Sequence, residues 1–122
     1  MPARFVSRIT EDFGYECIVN YWRAVQTKWQ YEFVDRTGNK LQSSPGIGGL
    51  ARFGRRVIER MIDQQSADIS IAQAALTERR NRKFNWSITG PLAAFTGKGG
   101  QTQVFEYLEY VYAGTDKPEW LP

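Results

Sequence analysis

The sequence predicts an α+β fold: a small, mainly antiparallel sheet of three to five strands, with two amphipathic helices packed on one face. Three observations predict it. Residues 28–34, KWQYEFV, alternate, so Trp29, Tyr31 and Phe33 share one side of an extended chain. Residues 83–89, KFNWSIT, repeat the pattern with Phe84, Trp86 and Ile88. Between them lie two runs whose apolar residues recur at helical spacing. The alternative is a mostly helical domain with one β-hairpin, which follows if residues 15–26 and 102–113 are both helices.

Taken in order, residues 4–10 (RFVSRIT) read as a short strand. Residues 15–26 fit two periods: Ile18, Tyr21, Trp22 and Val25 follow helical spacing, whereas Cys17, Val19 and Tyr21 alternate. Helix is preferred. After the 28–34 strand, DRTGNK reads as a turn and KLQSS as the returning strand, together a hairpin. A first helix is predicted from Gly49 to Gln64, with Leu50, Phe53, Val57, Ile58 and Met61 on its apolar arc. A second is predicted to begin at Ser66 or Asp68, either a good N-cap, to bury Ile69, Ala72, Ala75 and Leu76, and to end near Asn81. Residues 89–101 read as a loop. Residues 102–113 suit a helix capped by Thr102 and ended by Gly114, or a strand rich in β-branched and aromatic residues. The final TDKPEWLP is irregular.

A chain of 122 residues fits a single domain, 1–122, large enough to bury a core without staples. The chain has no histidine. That excludes histidine general acid–base chemistry, Ser-His and Cys-His nucleophile pairs and histidine metal ligands. One cysteine, Cys17, excludes an internal disulfide and zinc-finger spacing. Neither a secretory leader nor an apolar run of membrane-spanning length is present, so a cytoplasmic protein is expected. No cofactor and no metal are predicted.

The net charge of +3 is unevenly spread. Residues 52–83 hold eight basic and four acidic residues; subtracted from totals of 16 and 13, this leaves eight and nine elsewhere. The densest cluster is ERRNRK, in which Arg79, Arg80, Arg82 and Lys83 have only Glu78 beside them. A favourable helix dipole explains part of it, but four cations in five positions exceed what a dipole needs. Arg52, Arg55, Arg56 and Arg60 fall opposite the apolar arc of the first helix, with Glu59 and Asp63 placed to pair with them. Lys98 sits in a glycine-rich loop, TGKGGQT, that lacks the spacing of a phosphate-binding P-loop. Gly46-x-Gly48-x-x-Ala51 matches a loose dinucleotide pattern, yet the residues before it, LQSSP, cannot be the buried strand such a site needs. Glu11, Asp12, Glu106 and Glu109 have no partners converging on them in sequence.

These observations point to a small non-enzymatic binding protein. Its basic middle (Arg79, Arg80, Arg82 and Lys83, with Arg52, Arg55, Arg56 and Lys98) would contact nucleic acid or an acidic protein surface. Its size and lack of motifs also fit an accessory or inhibitor protein of a mobile element. The alternative is a small-ligand-binding domain or histidine-free enzyme, with a pocket lined by Trp22, Trp29, Trp86 and tyrosines. Where the aromatic rings point distinguishes the two.

Overall fold

The computed structural model describes residues 3–35, 37–95 and 97–122; for residues 3–10 and 97–98 it describes the backbone only. Among the described residues there are five α-helices, one π-helical segment and no sheet. The predicted α+β fold is therefore wrong, and so is the hairpin that its helical alternative retained. Helix α1 spans Ala3–Lys28, α2 Gln30–Val34, α3 Ser44–Asp63, α4 Ile69–Ala75 and α5 Gly97–Leu108; the π-helical segment continues α5 over Glu109–Ala113. The chain forms two compact units: Met1–Lys28 with Gly54–Leu76, and Trp29–Phe53 with Thr77–Pro122.

In the first unit, α1 takes the helical reading of residues 15–26 and extends it to residues 4–10, where a strand was expected. Cys17, Tyr21, Ala24 and Val25 are buried, at intervals of four, three and one residues. That stripe packs against α4, and Asn20 Nδ2 donates to the Ala67 carbonyl at 2.6 Å. The later half of α3 buries Val57 and Met61 and leaves Arg56 and Asp63 exposed, as its arc predicts. Gly54 brings α3 against α1: a Cβ built on it would lie 2.8 Å from Tyr21 Cζ and closer still to Cε2. Helix α3 ends in a Schellman motif. Gln65 takes the left-handed conformation (φ 53°), Ser66 N–H donates to Met61 O at 3.0 Å and Gln65 N–H to Ile62 O at 3.0 Å.

Helix α4 starts where a cap was expected. The Asp68 carboxylate accepts from Ser70 N–H at 2.9 Å. This bond and the Ser70 hydroxyl hold its carboxyl below the usual range. The helix ends at Ala75, however, with Leu76 as its C-cap and six residues short of Asn81, so the basic cluster does not lie on it.

In the second unit the predicted hairpin is absent. Residues Gln30–Val34 form a helical turn, with Phe33 N–H bonded to Trp29 O and Asp35 N–H to Tyr31 O, both at 3.0 Å. The alternation of rings was accidental: Trp29 is buried, while Tyr31 is 80% exposed. The expected returning strand is used to start α3. Ser43 Oγ accepts from Gly46 N–H at 3.2 Å and Ser43 O from Ile47 N–H at 2.9 Å, which makes Ser43 the N-cap. Pro45 sits in the first turn, where a missing N–H costs nothing. Arg36, in the predicted turn, and Thr96, in the predicted loop, lie outside the described residues.

Residues 83–87 run outside any helix and make only one antiparallel bridge, Asn39 with Ser87, before a turn closed by Gly90 N–H on Ser87 O at 3.0 Å. Their other neighbour is a helix. Tyr107 Oη accepts from Asn85 N–H at 3.0 Å and donates to Lys83 O at 3.1 Å, replacing a strand with a side chain. Residues 102–113 are helical, but α5 begins at Gly97 rather than at a Thr102 cap. Gly114, in the left-handed conformation (φ 80°), ends the π-helical segment and donates its N–H to Glu109 O.

The glycines of GIGG serve close packing. A Cβ on Gly48 would strike the Gln101 side chain, and one on Gly49 would lie 3.1 Å from Phe105 N and closer still to the Val104 side chain. Beside this contact Arg52 Nη1 donates to Thr102 Oγ1 at 2.9 Å. Leu50 and Phe53 on the same half of α3 are buried.

Gly49→Val is expected to destabilise the protein by about 1–3 kcal/mol through overpacking, read as a fall in the urea midpoint at unchanged slope. Asp68→Ala is expected to lower the thermal midpoint at neutral pH. Because the folded-state pKa of Asp68 is depressed, its contribution is complete above the ordinary carboxylate value and is lost as pH falls through the folded one. The gap between wild type and Asp68→Ala should therefore close in acid.

Candidate functional site

The basic cluster is built on a type I′ turn. Arg80 (φ 54°) and Asn81 (φ 60°) both occupy the left-handed region, and Arg82 N–H closes the turn on Arg79 O at 2.9 Å. Asn accepts that conformation readily, whereas Arg80 is strained by it. The turn places its two flanking arginines against the end of the π-helical segment. Arg79 N–H donates to Val111 O at 2.9 Å, and Arg79 Nε to Tyr112 O at 2.9 Å. Arg82 Nη1 reaches Tyr110 O at 2.7 Å and Thr115 O at 3.1 Å, and its guanidinium lies 4.1 Å from the centroid of the Tyr110 ring. A helix end leaves its last carbonyls without partners and carries partial negative charge. Here two arginines from a distant stretch of sequence supply both donors and charge.

The eight predicted contact residues therefore play different parts. Arg79 and Arg82 come together as a clamp on carbonyls. Arg80 and Lys83 are exposed, the first at the apex of the turn and the second just beyond it. Arg52 bonds Thr102. Arg55 forms a solvent-exposed i,i+4 ion pair with Glu59 at 3.3 Å, and Arg56 is exposed on the same helix. The side chain of Lys98 lies outside the described residues.

Next to Arg80 and Lys83 the aromatic rings are packed, not splayed. Phe84 stacks on Tyr107 at 4.0 Å and meets Trp86 at a tilt at 4.3 Å, and Trp29 meets Trp86 edge-on at 5.5 Å and Tyr112 at 5.9 Å. Trp29, Trp86, Tyr107 and Tyr112 are buried. Two open grooves flank the Lys83–Phe84 pair. One, of about 560 Å³, runs past Tyr31, Glu32, Asp35, Asn39 and the segment to Ser87. The other, of about 410 Å³, is bounded by Trp29, Glu78, Asn81, Arg82 and Tyr112. Neither is lined by Glu106 or Glu109. The grooves and the role of Tyr107 were not foreseen; the only hint was the interleaving of Lys83 with Phe84 and Trp86.

Groups that serve as nucleophiles or bases elsewhere are poorly placed here. Burial pushes the Tyr112 phenol far above its ordinary value, helped by Glu78, which receives its hydroxyl at 3.4 Å. Burial likewise raises the Tyr107 phenol, against the lowering effect of its bond from Asn85, and raises the Tyr21 phenol. The Cys17 thiol is raised by burial and then by Glu16. Among the described residues no three acidic or cysteine side chains converge as a metal site.

Replacing Arg79 and Arg82 together by alanine is expected to cost about 2–4 kcal/mol, since charge-assisted bonds to partly buried carbonyls would be lost. Arg80→Gly, one residue away, should be neutral to about 1 kcal/mol stabilising, because glycine removes the left-handed strain. Denaturant titration of both variants measures the contrast. Comparison with known protein families, with curated proteins and with solved structures finds no match for this chain.

Proposed function

We propose that this protein is a non-enzymatic binding protein whose partner is another protein, contacted through Arg80, Lys83 and the grooves beside them. The observation that carries this reading is the engagement of Arg79 and Arg82 by the carbonyls of Tyr110, Val111 and Tyr112. Two of the four clustered cations already have partners within the chain. Of those left facing solvent, Arg80 stands at the apex of the turn, and Lys83 lines both grooves, beside Glu32 and Asp35 in one and Glu78 in the other. A phosphate backbone selects an uninterrupted cationic surface; a mosaic of both signs beside aromatic and amide groups suits a protein surface. The close-packed rings support binding without a deep ligand pocket. The buried phenols and thiol, in a chain without histidine, support the absence of catalysis. A lone buried cysteine fits a reducing, cytoplasmic setting. Among the described residues no helix is long and apolar enough to cross a membrane.

The test pairs an oligonucleotide titration with an affinity capture. Short single- and double-stranded oligonucleotides should bind wild type weakly at physiological salt. Affinity capture from nuclease-treated lysate should retain a protein with wild type and lose it with the Arg80→Glu/Lys83→Glu variant. Tight oligonucleotide binding with a steep salt dependence, flattened in that variant, would replace the protein partner by a nucleic acid.

A further inference from the structure

We infer that the larger groove receives an extended segment of a partner protein, which pairs with the backbone of Phe84 as an added β-strand and carries a basic side chain toward Glu32 and Asp35. This rests on the reading of the chain as a protein-binding module and names the form its partner takes.

The backbone polar groups of residues 83–86 divide between two edges, and one edge lacks partners. Lys83 and Asn85 direct their polar groups to one edge, where the Tyr107 hydroxyl satisfies Lys83 O and Asn85 N–H. Alternation sends those of Phe84 and Trp86 to the opposite edge. There Lys40 N–H donates to Trp86 O at 2.7 Å and Ile88 N–H to Gly38 O at 3.3 Å, which together make the bridge of Asn39 with Ser87. Continued in register, an antiparallel ladder would give Trp86 N–H the carbonyl of Lys40 and would pair Phe84 with Gln42. The chain turns away first. Lys40 O accepts instead from Ser43 N–H at 3.1 Å and from the Ser43 hydroxyl, as α3 begins. Phe84 N–H, Phe84 C=O and Trp86 N–H are left without partners among the described residues. The Trp86 indole N–H is also buried with no acceptor. A strand edge is thus opened and then abandoned after one bridge.

Phe84 and Trp86 line the larger groove, whose volume of about 560 Å³ is within the usual size of a ligand site. Its far wall is the short helix α2. Tyr31 there is 80% exposed, and Glu32 makes no ion pair with a described residue. Asp35 Oδ1 is occupied by Thr37 and Gly38 N–H at 3.3 and 3.1 Å, but its charge remains. Two carboxylates on the wall facing an open strand edge select an extended segment with Lys or Arg at the position that crosses them. Strand addition of this kind takes affinity from main-chain bonds and specificity from alternate side chains.

The experiment selects binders from a library of short random peptides against the full chain, then resynthesises the selected peptides with single backbone N-methyl groups. The expected result is Lys or Arg at one fixed position, and loss of at least about tenfold in affinity for N-methylation at alternate residues only. Bound peptide should slow hydrogen exchange at the Phe84 and Trp86 amides, and Glu32→Gln should weaken basic peptides several-fold without altering the melting curve. Peptides that bind with uniform tolerance of N-methylation, and that perturb Arg80 instead of Phe84, would overturn strand addition while leaving the protein-binding reading in place. Selection of no peptide, or protection of Phe84 by self-association in sedimentation, would also overturn it. Displacement of bound peptides by oligonucleotides at physiological salt would overturn both readings.

Discussion

The second unit depends on how the carbonyls at the end of the π-helical segment are satisfied. Val111 and Tyr112 are buried, so their carbonyl groups have little access to water. An unsatisfied buried carbonyl costs about 1–3 kcal/mol, which makes donors from elsewhere in the chain a requirement. The Arg79–Arg82 turn supplies them from its backbone and both flanking side chains. Arg80 takes its left-handed conformation at the apex of this turn. The turn folds the chain back so that residues 79 and 82 both face the same helix end. The segment leaving the turn then carries Phe84 and Trp86 into contact with Tyr107, and the Tyr107 hydroxyl holds its backbone.

Glycines within the helices serve close approach in both units. In the first, Gly54 accepts the ring of Tyr21; in the second, Gly48 and Gly49 accept Gln101 and Val104. Glycines before a run of arginines resemble an anion-binding loop on paper. Here they lie within a helix, and the space an anion would use is filled by side chains.

What was legible in the sequence was governed by local rules. The arc of α3, the Asp68 cap, the helical stripe around Tyr21 and the stop at Gly114 each depend on neighbours within a turn or two. What was illegible depended on contacts between distant residues. Trp29, Tyr31 and Phe33 alternate like a strand, but only Trp29 meets the rings of residues 84–112, so the alternation carried no information about a sheet. Ser43 and Pro45 did announce a helix start, and the glycines that follow masked it. The arginine cluster reads as the end of the second helix, but that helix stops before it. The acceptors of Arg79 and Arg82 belong to another helix, some thirty residues on, and no spacing rule points there.

The lone cysteine gives the chain a built-in reporter. Cys17 has no solvent exposure, and its thiol is held in the protonated, unreactive form. An alkylating reagent therefore meets it only when α1 lifts away from its neighbours in the first unit. The rate of labelling at low denaturant measures how often that opening occurs. A cysteine introduced at the rim of the larger groove would, over the same interval, be the only thiol modified in the closed form. The protein can carry a single probe at its candidate binding surface without any other substitution.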